Sequence, residues 1–138
     1  MIAFDADVLI YASDPDNPLG QAVRELFQRS DQGNVGLGSA LLLPEVLTKP
    51  VRSGTSAETA ELTRLLRRLE LVEATEAICL RAVALGAKYG LTAMDAIHLA
   101  TAVTSGAEAF LTNNTKDFKK HLVNEVPILN PGDLLPAA

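Results

Sequence analysis

Four separated segments of the chain carry acidic residues that could act together in chemistry, and the first segment carries two of them. The segment IAFDADVLIYAS places Asp5 and Asp7 two residues apart in a very apolar stretch. Further acids are Glu45 in LLLPEVL, Asp95 in TAMDAIHLA and Asp117 in TNNTKDF. Carboxylates that lie close together repel one another, and a shared proton or a divalent cation relieves this repulsion. With oxygen ligands and no cysteine cluster, the favoured cation is Mg²⁺ or Mn²⁺.

Each acid also has an ordinary structural explanation. Asp95 is the third residue after Thr92, and this spacing is typical of a helix capping box. Asp117 fits a turn or the first turn of a helix, and Asp7 fits a helix N-cap. Asp5 has the weakest explanation of this kind, because a strand residue with apolar neighbours seldom carries a charge without a partner.

The elements that must position these acids alternate along the chain. Short apolar segments predict strands at MIAFD, NVGLG, ELVEA, EAFLTN and VPILN, and the segments between them have helical spacing. This alternation predicts one α/β domain over residues 1–138, a three-layer α/β/α sandwich with a mostly parallel central sheet. In such a sheet the ligand site lies beyond the carboxyl ends of the strands, so we expect the acids to converge there.

Local signals predict where several helices begin and end. Asn17 followed by Pro18 is a typical helix start, and Gly90 is a typical helix end. Thr55 with Glu58 predicts a capping box for the helix AETAELTRLLRRL. The segment KDFKKHL predicts a short helical piece.

The composition limits the classes of protein that fit. The formal charge of −5 argues against a protein that binds nucleic acid through a broad basic surface. The single cysteine, Cys79, lies in an apolar-periodic segment and is predicted to be a small buried side chain. No apolar run reaches the ~18 residues of a membrane span, and no basic leader precedes the first strand. We therefore expect a soluble, cytoplasmic protein.

The opening motif resembles two enzyme families. The pattern hydrophobic-Asp-x-Asp-Val-Leu is similar to the first motif of haloacid-dehalogenase-type phosphatases, in which Asp5 would be the nucleophile. That family also requires a later lysine and a pair of acids after a further strand, whereas PGDLL offers one acid. The phosphatase is therefore the weaker of the two interpretations.

The second resemblance, to the PIN domain and especially to VapC-type toxin ribonucleases, covers nearly the whole chain. Asp5 lies three positions before the run VLIYA, and Glu45 lies six positions after Ser39. The string DAIHLATA begins at Asp95, TNNTKDF contains Asp117, and NP closes the last strand. Each motif alone is a weak signal, but all of them in this order form a strong signature.

Two positions depart from the usual motifs of that family. Ala6 replaces the hydroxyl residue that commonly follows the first Asp, which removes one hydrogen bond at the site. Asn114 occupies a position that is often Asp, so the fourth acidic contribution rests on Asp117. We expect metal binding to persist, with activity lowered by either change.

The resemblance implies a PIN-like fold and an Mg²⁺- or Mn²⁺-dependent ribonuclease that hydrolyses RNA phosphodiesters. It implies that four acids hold the metal and act in catalysis: Asp5, Glu45, Asp95 and Asp117. Side chains that would orient these ligands are Asp7, Thr112 and Asn114. The lysines that flank the last acid are candidates for guiding RNA phosphates: Lys116, Lys119 and Lys120. His98, one helical turn after Asp95, is predicted to be a packed histidine rather than a catalytic one.

The resemblance also implies a homodimeric toxin that a small antitoxin protein neutralises. An alternative within the same family is a catalytically weak PIN module that acts through partner binding. The presence of all four acids argues against that alternative, because degenerate modules usually lose some of them.

Overall fold

The computed structural model describes residues 1–29 and 33–134, in which five strands form one parallel sheet in the order β3-β2-β1-β4-β5. The strands are β1 (Ile2–Phe4), β2 (Gly36–Ser39), β3 (Leu69–Val72), β4 (Ala109–Leu111) and β5 (Ile128–Leu129). The helices are α1 (Ala6–Ser13), α2 (Pro18–Arg29), α3 (Leu42–Ser53), α4 (Ser56–Leu66), α5 (Glu76–Tyr89) and α6 (Ala93–Thr104). A 3₁₀ turn, Pro131–Leu134, follows β5.

Alternation along the short strands divides the core between the two faces of the sheet. Ala3 and Phe110 face α5 and α6, whereas Phe4 and Leu111 face the helices α1 to α4. Because successive side chains of a strand point to opposite faces, strands buried on both sides are apolar at nearly every position. The predicted three-layer α/β/α sandwich with a parallel central sheet is confirmed.

The central strand β1 needs a small residue beside it. In β2, a Cβ atom on Gly36 would lie 2.4 Å from the Ile2 carbonyl oxygen and 2.6 Å from the Phe4 ring. Glycine therefore allows β2 to approach β1 closely while Phe4 packs against Phe27, with ring centroids 5.5 Å apart. This packing fixes the end of β1, which is where the acidic residues begin.

Several predicted helix ends agree with the structure. Asn17 caps α2, since its side-chain oxygen accepts hydrogen bonds from the backbone N–H groups of Leu19 (2.9 Å) and Gly20 (3.1 Å). Gly90 ends α5 in the left-handed conformation, with φ of 66°. Thr92 caps α6 through its hydroxyl oxygen.

Other local predictions were wrong. Asp5, not Asp7, is the N-cap of α1, because the chain leaves β1 in an extended conformation at that residue (φ −85°, ψ 163°). Thr55 is the N-cap residue of α4, as predicted, but its side chain makes no capping bond to the backbone. Its hydroxyl lies within hydrogen-bond distance of the Pro50 carbonyl oxygen (3.2 Å) and of Glu58 Oε2 (3.5 Å) instead. Cys79 is only partly buried.

The segment KDFKKHL forms turns rather than a short helix. Its backbone is bent by the Phe118 N–H, which donates to the Asn114 carbonyl at 3.0 Å, and by the Val123 N–H, which donates to the Lys119 carbonyl at 3.0 Å. The Phe118 ring is buried edge-on against Phe110, with centroids 5.1 Å apart. This one anchored ring fixes the segment without helical periodicity.

No single helix within residues 1–29 and 33–134 is long and apolar enough to cross a membrane. The consecutive helices α5 and α6 reach that length only as a pair, and the chain bends by 114° between them.

Candidate active site

Asp5 lies at the centre of the acidic edge, where β1 ends and α1 begins. It is 5% exposed, and one carboxylate oxygen, Oδ1, accepts the Ala6 N–H at 2.9 Å. The other oxygen, Oδ2, accepts the Thr112 hydroxyl at 2.7 Å. Burial raises the pKa of Asp5, and the bond from Thr112 and the charge of His98 offset part of that rise. The residue after Asp5 thus contributes its backbone N–H even though it lacks a hydroxyl.

Thr112 connects Asp5 to the loop that carries the last acid. Its fully buried hydroxyl oxygen accepts the Asn114 N–H at 3.0 Å, while the Asn130 side chain donates to the Thr112 carbonyl at 2.7 Å. The Asn114 amide then donates to Asp117 Oδ2 at 3.0 Å, and the Asp117 N–H donates back to Asn114 Oδ1 at 3.2 Å. A continuous chain of hydrogen bonds therefore joins Asp5 to Asp117.

Asp7 lies in the first turn of α1, and its two oxygens have different surroundings. Oδ2 accepts the Asn113 N–H at 3.1 Å, a contact across 106 residues that no local sequence pattern predicts. Oδ1 is buried and has no hydrogen-bond partner among the described residues. Burial, followed by the negative charge of Asp5, raises the pKa of Asp7 to about 7. Such a carboxyl group is partly protonated at neutral pH.

Glu45 lies in the first turn of α3, and His98 of α6 holds it. The Nε2 atom of His98 lies 2.5 Å from Glu45 Oε2, with the histidine side chain fully buried and the glutamate side chain 30% exposed. Burial by itself lowers the pKa of His98, but the bond to Glu45 and the charge of Asp5 outweigh it, so the pKa is raised. The prediction of a packed histidine therefore missed this contact. No local sequence signal identifies it, because Glu45 lies 53 residues away.

Asp95 is half-buried in the first turn of α6 and completes the group of acids. Its N–H donates to the Thr92 hydroxyl oxygen at 3.3 Å, so the predicted cap is present. Burial raises the pKa of Asp95, the charge of Asp5 adds to the rise, and Asp117 adds a smaller part. Because its proton affinity responds to both neighbours, Asp95 belongs to the same electrostatic cluster as the two acids beside it.

The donor set of this cluster can be compared with what a metal ion requires. In residues 1–29 and 33–134, no group of three or more His, Cys, Asp or Glu side chains has a geometry that could hold a metal ion. The chemistry of the donors nevertheless fits Mg²⁺ or Mn²⁺, because they are carboxylate oxygens, the ligands that these hard cations prefer. The unpartnered, buried Oδ1 of Asp7 also fits a nearby positive charge.

The three lysines near the last acid have different surroundings. Lys116 and Lys119 are exposed on either side of Asp117 and line a cleft with it. Lys120 forms an ion pair with Asp133 in the 3₁₀ turn instead. The predicted group of three cations is thus divided between two places on the surface.

Comparison with known proteins gives a family and a fold. The family model described as PIN domain matches residues 2–121. No curated protein matches the chain in sequence. A toxin-antitoxin complex from Klebsiella pneumoniae superposes with a TM-score of 0.72 at 24% identity, covering 95% of this chain and 98% of the other.

Two further solved structures have the same fold. VapBC2 from Rickettsia felis, bound to a DNA fragment from its promoter, gives a TM-score of 0.68 at 19% identity, with 94% of this chain and 98% of the other covered. The VapC20 toxin of Mycobacterium tuberculosis, which cleaves the sarcin-ricin loop, gives 0.63 at 16% identity, with 80% and 87% covered.

Proposed function

The chain belongs to the PIN-domain family, and on that premise we propose that it is a metal-dependent endoribonuclease that cleaves RNA phosphodiesters. The observation that carries the proposal is the buried Asp5 carboxylate, which is fixed at the end of the central strand with other acids in its electrostatic field. Burial of a carboxylate close to other acids costs free energy, and such arrangements are concentrated at functional sites.

The residues proposed to hold the metal and to act in catalysis are Asp5, Glu45, Asp95 and Asp117. When bound there, Mg²⁺ or Mn²⁺ supplies charge neutralisation at the phosphate and makes an attacking water more acidic. Thr112 and Asn114 orient the carboxylates of Asp5 and Asp117 through the hydrogen bonds described above. Asp7 is partly protonated at neutral pH, which lowers the repulsion within the cluster.

Lys116, Lys119 and Lys120 are proposed to assist RNA binding. Two of them have exposed ammonium groups beside Asp117, which supports a role in guiding phosphates. Lys120 forms an ion pair with Asp133, so we expect its contribution to RNA binding to be the smallest of the three. These few cations predict modest affinity for RNA with a weak dependence on salt.

We further propose that the protein is a cytoplasmic, homodimeric toxin neutralised by a small antitoxin. The toxin-antitoxin neighbours from Klebsiella pneumoniae and Rickettsia felis, which share the fold, support this proposal. Co-expression with the product of the adjacent open reading frame tests it. We expect co-expression to relieve toxicity and the two proteins to co-purify. Unchanged toxicity would contradict the proposal that this partner is an antitoxin.

The decisive experiment is RNA cleavage by the purified protein with Mg²⁺ or Mn²⁺. D5N and D95N are expected to lower the rate by about 100-fold or more, and EDTA is expected to abolish cleavage. D16N removes an exposed acid in the turn after α1 and is the matched control, expected to cleave at the wild-type rate. Melting temperatures of all variants identify any loss that results from unfolding.

Three outcomes separate the candidate functions. Loss of cleavage in both site variants and in EDTA supports the metallonuclease. Binding of Mn²⁺ by calorimetry without cleavage of any RNA favours the partner-binding module instead. Absence of both metal binding and cleavage rejects the proposal.

A further inference from the structure

A cleft of about 380 Å³ lies beside Asp117, outside the hydrogen bonds that hold the acids together. Its walls come from the end of α5 and from the segment that follows β4. The residues that line it are Lys88, Tyr89, Lys116, Asp117, Lys119, Leu122 and Val123. We refer to this set of residues as the lysine cleft. Its volume is within the range of small-ligand sites.

The charges in the lysine cleft are partly uncompensated. Lys116 and Lys119 form no side-chain hydrogen bond or ion pair with any residue in the described parts of the chain. Lys88 pairs with Glu125 at 2.9 Å and lies 5.1 Å from the centroid of the Tyr89 ring. In a protein of net charge −5, two unpaired ammonium groups beside the acidic cluster favour an anionic ligand.

Tyr89 gives the cleft a fixed aromatic wall. Its hydroxyl donates to Glu125 Oε1 at 2.5 Å and accepts the Asn124 N–H at 3.5 Å, so both bonds hold the ring in place. The ring is half-buried, and Leu122 and Val123 extend the apolar surface beside it. A positioned aromatic ring next to cationic groups is the arrangement that binds a stacked base and its phosphate.

Asp117 joins the lysine cleft to the proposed catalytic site. It lines the cleft, and its charge also acts on Asp95 within the acidic cluster. A strand whose phosphate lies at the acids therefore has the lysine cleft directly beside it. An acidic peptide also fits the charge, but it does not use the aromatic wall or the continuity with a phosphodiester site.

We propose that the lysine cleft binds one nucleotide of single-stranded RNA next to the phosphate that is cleaved. Lys116 and Lys119 contact the flanking phosphate, and the base lies against Tyr89. The proposal rests on the ribonuclease function and deepens it, because it assigns a binding site for the substrate outside the acids.

The test measures binding of a fluorescent oligouridylate by anisotropy in EDTA over a series of salt concentrations. K116Q and K119Q are expected to weaken binding roughly three- to ten-fold at low salt, and each is expected to lower the salt slope by about 0.7. Cleavage by the same variants is expected to show a raised KM with a nearly unchanged kcat. Y89L is expected to weaken binding, and Y89F, which keeps the ring, is expected to restore most of it.

Two comparisons make the result specific. R64Q makes the same change of charge on α4, outside the cleft, and is expected to leave binding unaffected. K120Q changes a neighbouring lysine that pairs with Asp133, and its loss is expected to be smaller than that of K119Q. Equal losses in R64Q and K119Q would mean that only net charge matters, and would overturn the proposal.

The remaining outcomes separate this proposal from the function on which it rests. If the wild type cleaves RNA while K116Q, K119Q and Y89L bind and cleave as it does, the lysine cleft is not used and the ribonuclease stands. If polyglutamate binds as tightly as the RNA, and K119Q weakens its binding as much as it weakens RNA binding, the cleft is a site for acidic peptides. If the wild type neither binds nor cleaves RNA, the ribonuclease function itself fails.

Discussion

The acidic cluster is held differently on its two sides. On the side of β1 and β4, neutral donors fix Asp5: a backbone N–H and the buried hydroxyl of Thr112. On the side of α3 and α6, the part-exposed carboxylate of Glu45 is held by one ring nitrogen of His98. One side thus depends on adjacent strand ends, and the other depends on a contact between two helices.

This difference separates two ways of positioning a carboxylate. Hydrogen bonds from hydroxyl and backbone donors keep their geometry over a wide pH range, and the sheet register sets the distance between strand ends. A histidine contact depends on the ring's tautomer and charge, and on how two helices pack. We therefore expect Asp5 to be the rigid member of the site and Glu45 to be the more adjustable one.

Among the groups that hold the acids in place, the largest effect is expected from removing the hydroxyl that holds Asp5. T112V keeps the shape of the side chain but leaves one oxygen of a buried carboxylate without its donor. RNA cleavage is expected to fall by about 10- to 100-fold, and the free energy of unfolding by about 1–3 kcal/mol. Steady-state cleavage and chemical denaturation measure the two effects.

T112S is the matched control because it keeps the hydroxyl and removes only a methyl group. It is expected to keep most of the cleavage rate. A T112V protein that cleaves at the wild-type rate would show that Asp5 needs no donor from the residue after β4, and the contrast between the two sides would be lost.

A smaller effect is expected on the helix side. H98L removes the nitrogen that contacts Glu45, and we expect Mn²⁺ affinity and cleavage to fall by roughly 10-fold, because the part-exposed carboxylate can still reorient. H98Q places an amide donor at a similar distance and is expected to recover part of the loss. Calorimetric titration with Mn²⁺ and cleavage kinetics measure these changes.

A double-mutant cycle with E45Q determines whether His98 acts through Glu45. If it does, H98L added to E45Q causes little further loss, and the coupling energy is large. Additive losses would instead mean that His98 serves the packing of α6 and not the position of the carboxylate.

Local sequence signals were enough to predict most of the architecture. Strands that are buried on both faces have short apolar sequences, and a helix between two such segments predicts that the two strands are parallel. Asn17 and Gly90 act through bonds within a few residues, so their effects follow from sequence alone. The cap of α1 was assigned to the wrong acid because Asp5 and Asp7 both suit an N-cap, and only the backbone angles distinguish them.

The contacts that define the site were harder to predict because they join residues far apart in sequence. The Glu45–His98 contact spans 53 residues, and the bond from the Asn113 N–H to Asp7 spans 106. Neither partner has a local pattern that identifies the other, so their meeting depends on how helices and strand ends pack. Lys120 likewise forms an ion pair with Asp133, which separates it from Lys116 and Lys119, its neighbours in sequence.

The smallest effect is expected from replacing Asp7, and it concerns the stability of the metal-free protein. Asp7 lies beside Asp5, but its Oδ1 atom has no hydrogen-bond donor among the described residues. Its pKa rises from 3.8 to about 7 on folding. Between these values the folded protein binds more protons than the unfolded chain, so Asp7 makes stability fall as pH rises from about 4 to about 7. D7N cannot titrate, so its melting temperature in EDTA is expected to gain a few degrees relative to wild type between about pH 5 and pH 8.

D16N, which removes an exposed acid, is expected to show a difference from wild type that stays constant with pH. Differential scanning fluorimetry over this range measures all three proteins. Adding Mn²⁺ is expected to reduce the difference in melting temperature between wild type and D7N at pH 8, because a cation at the site stabilises the ionised carboxyl group of Asp7. A difference in melting temperature between D7N and wild type that does not vary with pH would mean that Asp7 is as well solvated in the folded protein as in the unfolded chain. The strand side of the site would then hold both ionised acids without a shared proton or a metal.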